Sequence, residues 1–171
     1  MLVRSTPGSG SVFTAEIPFP IAHHVHTEDS AAQKTGAGVT YTDKHLRILL
    51  VEDNMFNQMV ATDSLADMFP NAEVVVAENG QIAVDKITAE TFDVVLMDVQ
   101  MPVMDGYTAA RTIRALPVKE KNAIPIIAMT ASVIKSEVDK CYESGMDDFI
   151  AKPFDKDILQ QKIVQHAFAE S

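Results

Sequence analysis

The chain has 171 residues, enough for one ordinary domain with a tail and too few for two full domains. It is 47% hydrophobic and 22% charged, with no apolar run near the ~20 residues that cross a bilayer, which excludes a helical span and predicts a soluble globular protein. Its 14 basic against 24 acidic residues, a formal charge of −10, argue against nucleic acid or anionic lipid as a direct partner, although acidic residues can build a cation site.

The single cysteine, Cys141, excludes an intrachain disulfide and a cysteine metal cage. Residues 1–20 carry one Arg4, an early Pro7-Gly8 and no sustained apolar stretch, so they do not read as a secretory signal. Together these features predict a reducing, cytoplasmic setting without direct membrane contact.

In chain order, the turn signal Pro7-Gly8-Ser9-Gly10 is followed by alternating apolar and polar residues over 11–18, which predicts one strand. Twenty residues bury too little surface to fold alone, so residues 1–20 are expected to be disordered or the trailing edge of another domain. Residues 21–44 mix small, polar and charged residues without an apolar period and read as a flexible linker, with a reach of roughly 25–30 Å. His23, His24 and His26 lie in it; they are a conceivable transition-metal set, but solvated linker histidines explain them with less.

From residue 45 the pattern becomes regular. Residues 46–51, LRILLV, form a short apolar run, as a strand buried on both faces of a parallel sheet requires. Asn54 can cap a helix running to about residue 69. Strands are predicted over 73–77, 92–97, 123–129 and 148–151, and helices over 80–89, 105–115, 132–144 and 155–169. Five β-α units with short links imply a three-layer α/β/α sandwich around a five-stranded parallel sheet, with function at the strand C-termini.

Polar residues collect at those C-termini. The first strand ends in Glu52-Asp53, the third is followed by Asp98, the fourth by Thr130 and the fifth by Lys152. Three carboxylates ~5 Å apart would repel by roughly 3 kcal/mol per pair at an effective dielectric near 20, so they need protons or a cation. Oxygen ligands of this kind suit a hard divalent ion, and magnesium above all where a phosphate shares the coordination shell. Asp98 is central and can attack phosphorus, with Lys152, the Thr130 hydroxyl and backbone amides after Asp98 to hold the phosphoryl oxygens.

Four segments, VEDN at 51–54, LMDVQMPVMDG at 96–106, MTA at 129–131 and AKPF at 151–154, resemble the receiver domain of two-component signalling, over residues 45–171. The resemblance implies a flavodoxin-like receiver fold in which Asp98 is the phosphoacceptor and Glu52 and Asp53 hold magnesium with the Gln100 main-chain carbonyl. It makes Thr130 the switch hydroxyl, Lys152 the phosphate-binding lysine and Phe149 the switch aromatic, and it implies a cis Lys152-Pro153 bond. Phe149 departs from receivers that carry tyrosine, so its movement would rest on ring burial alone; a plain core phenylalanine is the other reading. Residues 5–19 are similar to the last glycine-rich box and strand of a histidine kinase ATP-binding domain. That similarity places the chain at the C-terminal end of a hybrid sensor kinase, with the kinase domain of the same parent and a histidine phosphotransfer domain as partners.

On the first helix, Asn57, Val60, Ala61, Ser64, Leu65 and Met68 share an arc at 100° per residue that is expected to face the sheet. Met55, Phe56, Met59 and Ala66 form a second apolar arc, suited to docking a helical partner or to local packing by the linker. Two other function classes stay open. A hydrolase with an aspartate nucleophile needs a second acid/base aspartate shortly after it, where this chain has Gln100. An interaction module without phosphorylation chemistry would not need the full set of acceptor residues that is present.

Overall fold

The computed structural model describes residues 2–6, 10–14 and 45–168. The chain divides into two units, Met1–Gly38 and Val39–Ser171.

In the first unit β1 (Leu2–Thr6) and β2 (Gly10–Thr14) pair antiparallel, from Leu2 opposite Thr14 to Thr6 opposite Gly10. This corrects the expectation of one strand over 11–18. A turn signal between two short runs is a hairpin signal, and the run ahead of Pro7 is its first strand. Residues 15–18 and the predicted linker 21–44 lie outside the described residues.

The second unit contains β3 (Arg47–Val51), α1 (Met55–Met68), β4 (Glu73–Ala77), α2 (Gly80–Ala89), β5 (Val94–Asp98), α3 (Gly106–Arg114), α4 (Lys119–Asn122), β6 (Ile126–Thr130), α5 (Lys135–Glu143), β7 (Asp148–Ala151) and α6 (Lys156–Ala167). Its five strands form one parallel sheet in the order β4-β3-β5-β6-β7. Every residue of β5 and β6 is buried, because helices cover both faces of a parallel sheet.

Alternation along the strands sorts the core into two layers. Leu49, Val51, Val95 and Met97 pack with Ala83, Ile87, Ala110 and Cys141 from α2, α3 and α5. Ile48, Leu50, Val94 and Leu96 pack with Ala61, Leu65, Leu159 and Ile163 from α1 and α6. The result is the expected α/β/α sandwich.

The strands expected over 92–97 and 123–129 lie at Val94–Asp98 and Ile126–Thr130, and two further details differ from expectation. The helix expected over 132–144 begins only at Lys135, because the Thr130 hydroxyl accepts from Ser132 N at 3.1 Å and donates to Ser132 O at 3.0 Å, tying that stretch into a turn. The short helix α4 was not expected. Its Lys121 reaches across to donate to the carbonyls of Ile87, Thr88 and Glu90, satisfying orphan acceptors at the end of α2.

Candidate phosphoacceptor site

The strand order puts the rim residues together. The chain leaves β3 toward β4 on one side and places β5 on the other, so the switch in direction opens a crevice at the C-termini of β3 and β5. Val51 is level with Met97, Asp98 with Met129, and Thr130 with Ala151. The residues that follow these strand ends therefore converge.

Glu52, Asp53 and Asp98 offer carboxylate oxygens that all lie within 4.8 Å of one another. Glu52 is 2% exposed and Asp98 7%, while Asp53 faces solvent. Lys152 Nζ lies 2.5 Å from Glu52 Oε2 and 2.7 Å from Asp98 Oδ2, bridging the two buried acids. Burial pushes the Asp98 carboxyl above its ordinary value, and the bonds from Lys152 and from Gln100 N at 3.2 Å offset that only in part. Burial pulls the Lys152 ammonium down, but its bonds to Asp98 and Glu52 outweigh it and hold it above its ordinary value.

A second ring of groups positions these acids. Glu52 Oε1 accepts from Asn57 Nδ2 at 2.9 Å and from Asn54 N at 3.3 Å, and the Glu52 carbonyl accepts from Gln58 Nε2 at 2.7 Å. Asn54 also caps α1 through Phe56 N and Asn57 N, so one turn both starts the helix and aims the acid. Behind Asp98, Gly106 is required by close approach: a Cβ there would meet the Asp98 carbonyl oxygen at 2.2 Å. Asn57 and Gln58 were not predicted as site residues. The signal available was their place in the first turn after an acid-bearing strand.

The donor set fits a hard divalent cation. All three groups are oxygen donors and two are buried; among the described residues Lys152 is the one cation in ion-pair contact with them.

The other predicted residues fall around this core. Thr130 is buried with its hydroxyl turned to Ser132. Phe149 lies half-buried on β7, edge-on to Tyr142 with ring centroids 6.3 Å apart. The Lys152-Pro153 bond is cis. Met55, Phe56 and Met59 are exposed on α1, Phe56 at 71%. Of the arc expected to face the sheet, Ala61, Ser64 and Leu65 are buried, but Val60 and Asn57 are exposed. Val60 and Phe56 instead line a groove of about 340 Å³ with Ala61, Pro153 and Phe154, and Glu52 and Lys152 line it as well.

A doubly wound parallel sheet with an acid trio and a lysine at its switch point is the arrangement of a receiver domain of the two-component class. Residues 48–164 match the response regulator receiver domain family, and the chain belongs to it.

Among relatives, it is 38% identical over 135 residues to the sensor protein GacS of Pseudomonas syringae pv. syringae, covering 78% of this chain and 15% of that protein. It is 32% identical over 186 residues to histidine kinase 5 of Arabidopsis thaliana, covering 95% of this chain and 20% of that one. The chain thus spans a small part of these relatives. The receiver domain of sensor histidine kinase PA1611 from Pseudomonas aeruginosa PAO1, solved with magnesium coordinated in its active-site cleft, superposes with a TM-score of 0.67 at 36% identity, covering 74% of this chain and 100% of that one. The receiver domain of Ssk1, solved with the histidine phosphotransfer protein Ypd1 of Saccharomyces cerevisiae, gives 0.66 at 29% identity, covering 72% and 90%.

Proposed function

We propose that Asp98 accepts a phosphoryl group from a phosphohistidine, and that the domain relays it to, or exchanges it with, a histidine phosphotransfer domain, or modulates a parent kinase. The observation that carries this reading is the Lys152 ammonium held between Asp98 and Glu52 at the switch point of the sheet. An Asp98 carboxylate oxygen attacks phosphorus as the P–N bond breaks; the electron pair returns to the imidazole nitrogen, which takes up a proton. Lys152 supplies a point charge to the phosphoryl oxygens, and the Gln100 amide is already aimed at the Asp98 side chain.

Glu52, Asp53, Asp98 and the Gln100 carbonyl would hold magnesium, which when bound neutralises the carboxylates and the phosphoryl oxygens. The magnesium in the PA1611 receiver supports this choice. In the phosphorylated state the Thr130 hydroxyl would exchange Ser132 for a phosphoryl oxygen, with Phe149 moving in behind it.

The exposed Met55, Phe56 and Met59 beside the groove suit a helical partner, and the Ypd1 complex of Ssk1 supports a histidine phosphotransfer domain as that partner. The alignment with histidine kinase 5 covers 95% of this chain and so extends ahead of residue 45, which supports residues 1–20 as the end of a kinase ATP-binding domain and the kinase of a hybrid parent as donor. A cytoplasmic location belongs to the same reading; no helix among the described residues is long and apolar enough to cross a membrane.

The test is incubation with acetyl phosphate and magnesium, read by intact mass. A single base-labile phosphoryl adduct, lost in Asp98→Asn and on chelation, is the expected result. Continuous phosphate release would favour a hydrolase, and no adduct an inert interaction module.

A further inference from the structure

We infer that Lys162 is a positioning residue for Phe149: anchored on Asp148, its ammonium holds the Phe149 ring in the seat seen here. The inference rests on reading Phe149 as the switch aromatic.

β7 is an edge strand, so a side chain from one face of the sheet can reach around it to the other. Ile150 of β7 packs on the α1/α6 side, whereas Phe149 packs against the α2/α3/α5 side. Lys162 belongs to α6, yet its Nζ lies 2.6 Å from Asp148 Oδ1 and 5.6 Å from the centre of the Phe149 ring. That position lets the ring's negative face attract the cation. Asp148 Oδ1 also accepts from Phe149 N at 2.7 Å, and Oδ2 is 3.0 Å from His166 Nε2, so the anchor is tied to the residue it steadies. Tyr142 of α5 meets the ring edge-on.

The ring also has somewhere to go. Phe149 pairs with Ala128, and Thr130 pairs with Ala151, so Thr130 is the diagonal neighbour of Phe149 on the same face of the sheet. Both intervening residues are alanine. A groove of about 270 Å³ lined by Val133, Ala151, Ile158 and Lys162 adjoins the ring. Phenylalanine has no hydroxyl to fix either position. The contacts of Lys162 and Tyr142 therefore set the balance between them.

The experiment uses the full chain with selectively labelled phenylalanine, following the Phe149 ring resonances by NMR and the rate of phosphorylation by acetyl phosphate. Lys162→Met keeps the stem and removes the charge. It should move the Phe149 resonances toward their positions in the phosphorylated protein and change the rate by about fivefold, the size of effect one cation–π contact carries. Lys162→Arg should restore both. In a Phe149→Leu background, Lys162→Met should leave the rate unchanged. Unmoved ring resonances in Lys162→Met, or an equal rate effect in the Phe149→Leu background, would overturn the inference. If Lys162→Met does not fold, Lys162→Gln is read in the same way. Phe149→Leu alone separates the underlying reading: a wild-type rate and wild-type phosphorylation-induced shifts elsewhere would refute Phe149 as a switch, while the ring resonances still decide whether Lys162 positions it.

Discussion

Lys152 Nζ lies 2.7 Å from Asp98 Oδ2, and the same ammonium is 2.5 Å from Glu52 Oε2, so one cation compensates two buried acids. Removing one partner of a buried ion pair leaves uncompensated charge, which typically costs 3–5 kcal/mol. Lys152→Met should therefore destabilise the domain by about 3 kcal/mol in metal-free buffer, measured by urea unfolding. A dication among the same carboxylates would replace the lost charge, so millimolar magnesium should recover a large part of that loss. Equal destabilisation with and without magnesium would contradict the assignment of Glu52, Asp53 and Asp98 as a metal site.

Asn57 Nδ2 holds Glu52 Oε1 at 2.9 Å, leaving Oε2 for Lys152. Groups that orient a metal-binding carboxylate typically contribute 10–100-fold to affinity. Asn57→Leu should weaken magnesium binding by about tenfold in calorimetric titration. The stability loss should stay near ~1 kcal/mol, the worth of one hydrogen bond. An unchanged magnesium affinity would reduce Asn57 to a surface residue of α1.

How legible these features were depended on whether they were local. The bounds Glu73–Ala77, Gly80–Ala89 and Asp148–Ala151 agree with the sequence reading, because a short β-branched run such as EVVVA between turn signals leaves a strand as the one reading. Glu52, Asp53, Asp98 and Lys152 were legible as a set, since each directly ends or follows a strand and a parallel sheet sends those ends to one rim. What depends on contact between distant segments was not legible. Lys121 capping α2 and Lys162 crossing the edge of β7 are tertiary events with no local pattern. Val60 sits at the margin of the arc of α1, where burial depends on the neighbouring Phe154 loop rather than on angle. The start of α5 was misplaced because Ser132 is engaged by Thr130 instead of capping the helix.

Phe56 is 71% exposed beside the groove that reaches Glu52 and Lys152. If this face docks a histidine phosphotransfer domain, Phe56→Glu places a charge in the contact and should slow phosphotransfer by at least about tenfold, the effect of losing one good apolar interface contact. An exposed substitution should change stability by no more than about 0.5 kcal/mol. Phosphorylation by acetyl phosphate, which needs no docking, should be unaffected. Unaltered transfer kinetics would remove α1 from the docking surface.

Val103 adopts φ 68° in the loop after Asp98 and is 85% exposed. A β-branched residue is strained in the left-handed region, at roughly 1–2 kcal/mol, whereas asparagine tolerates it. Val103→Asn loses little burial, so it should stabilise the domain by about 1 kcal/mol in urea unfolding. Destabilisation would mean that contacts of the valine outweigh its backbone strain.

Asp148 should make the domain acid-sensitive independently of the metal site. Burial raises its carboxyl, but the bonds from Lys162, Phe149 N and His166 outweigh that and leave it below 3.8, an aspartate's ordinary value. A carboxyl depressed in the folded state contributes stability that is complete above the unfolded value and lost as pH falls through the folded one, because the unfolded chain takes up the proton first. The stability difference between wild type and Asp148→Asn, from urea unfolding in metal-free buffer, should therefore shrink as pH falls below about 4. A difference that grew as pH fell below about 4 would have the wrong sign for a depressed carboxyl and would show that Asp148 is not ionised in its bond to Lys162.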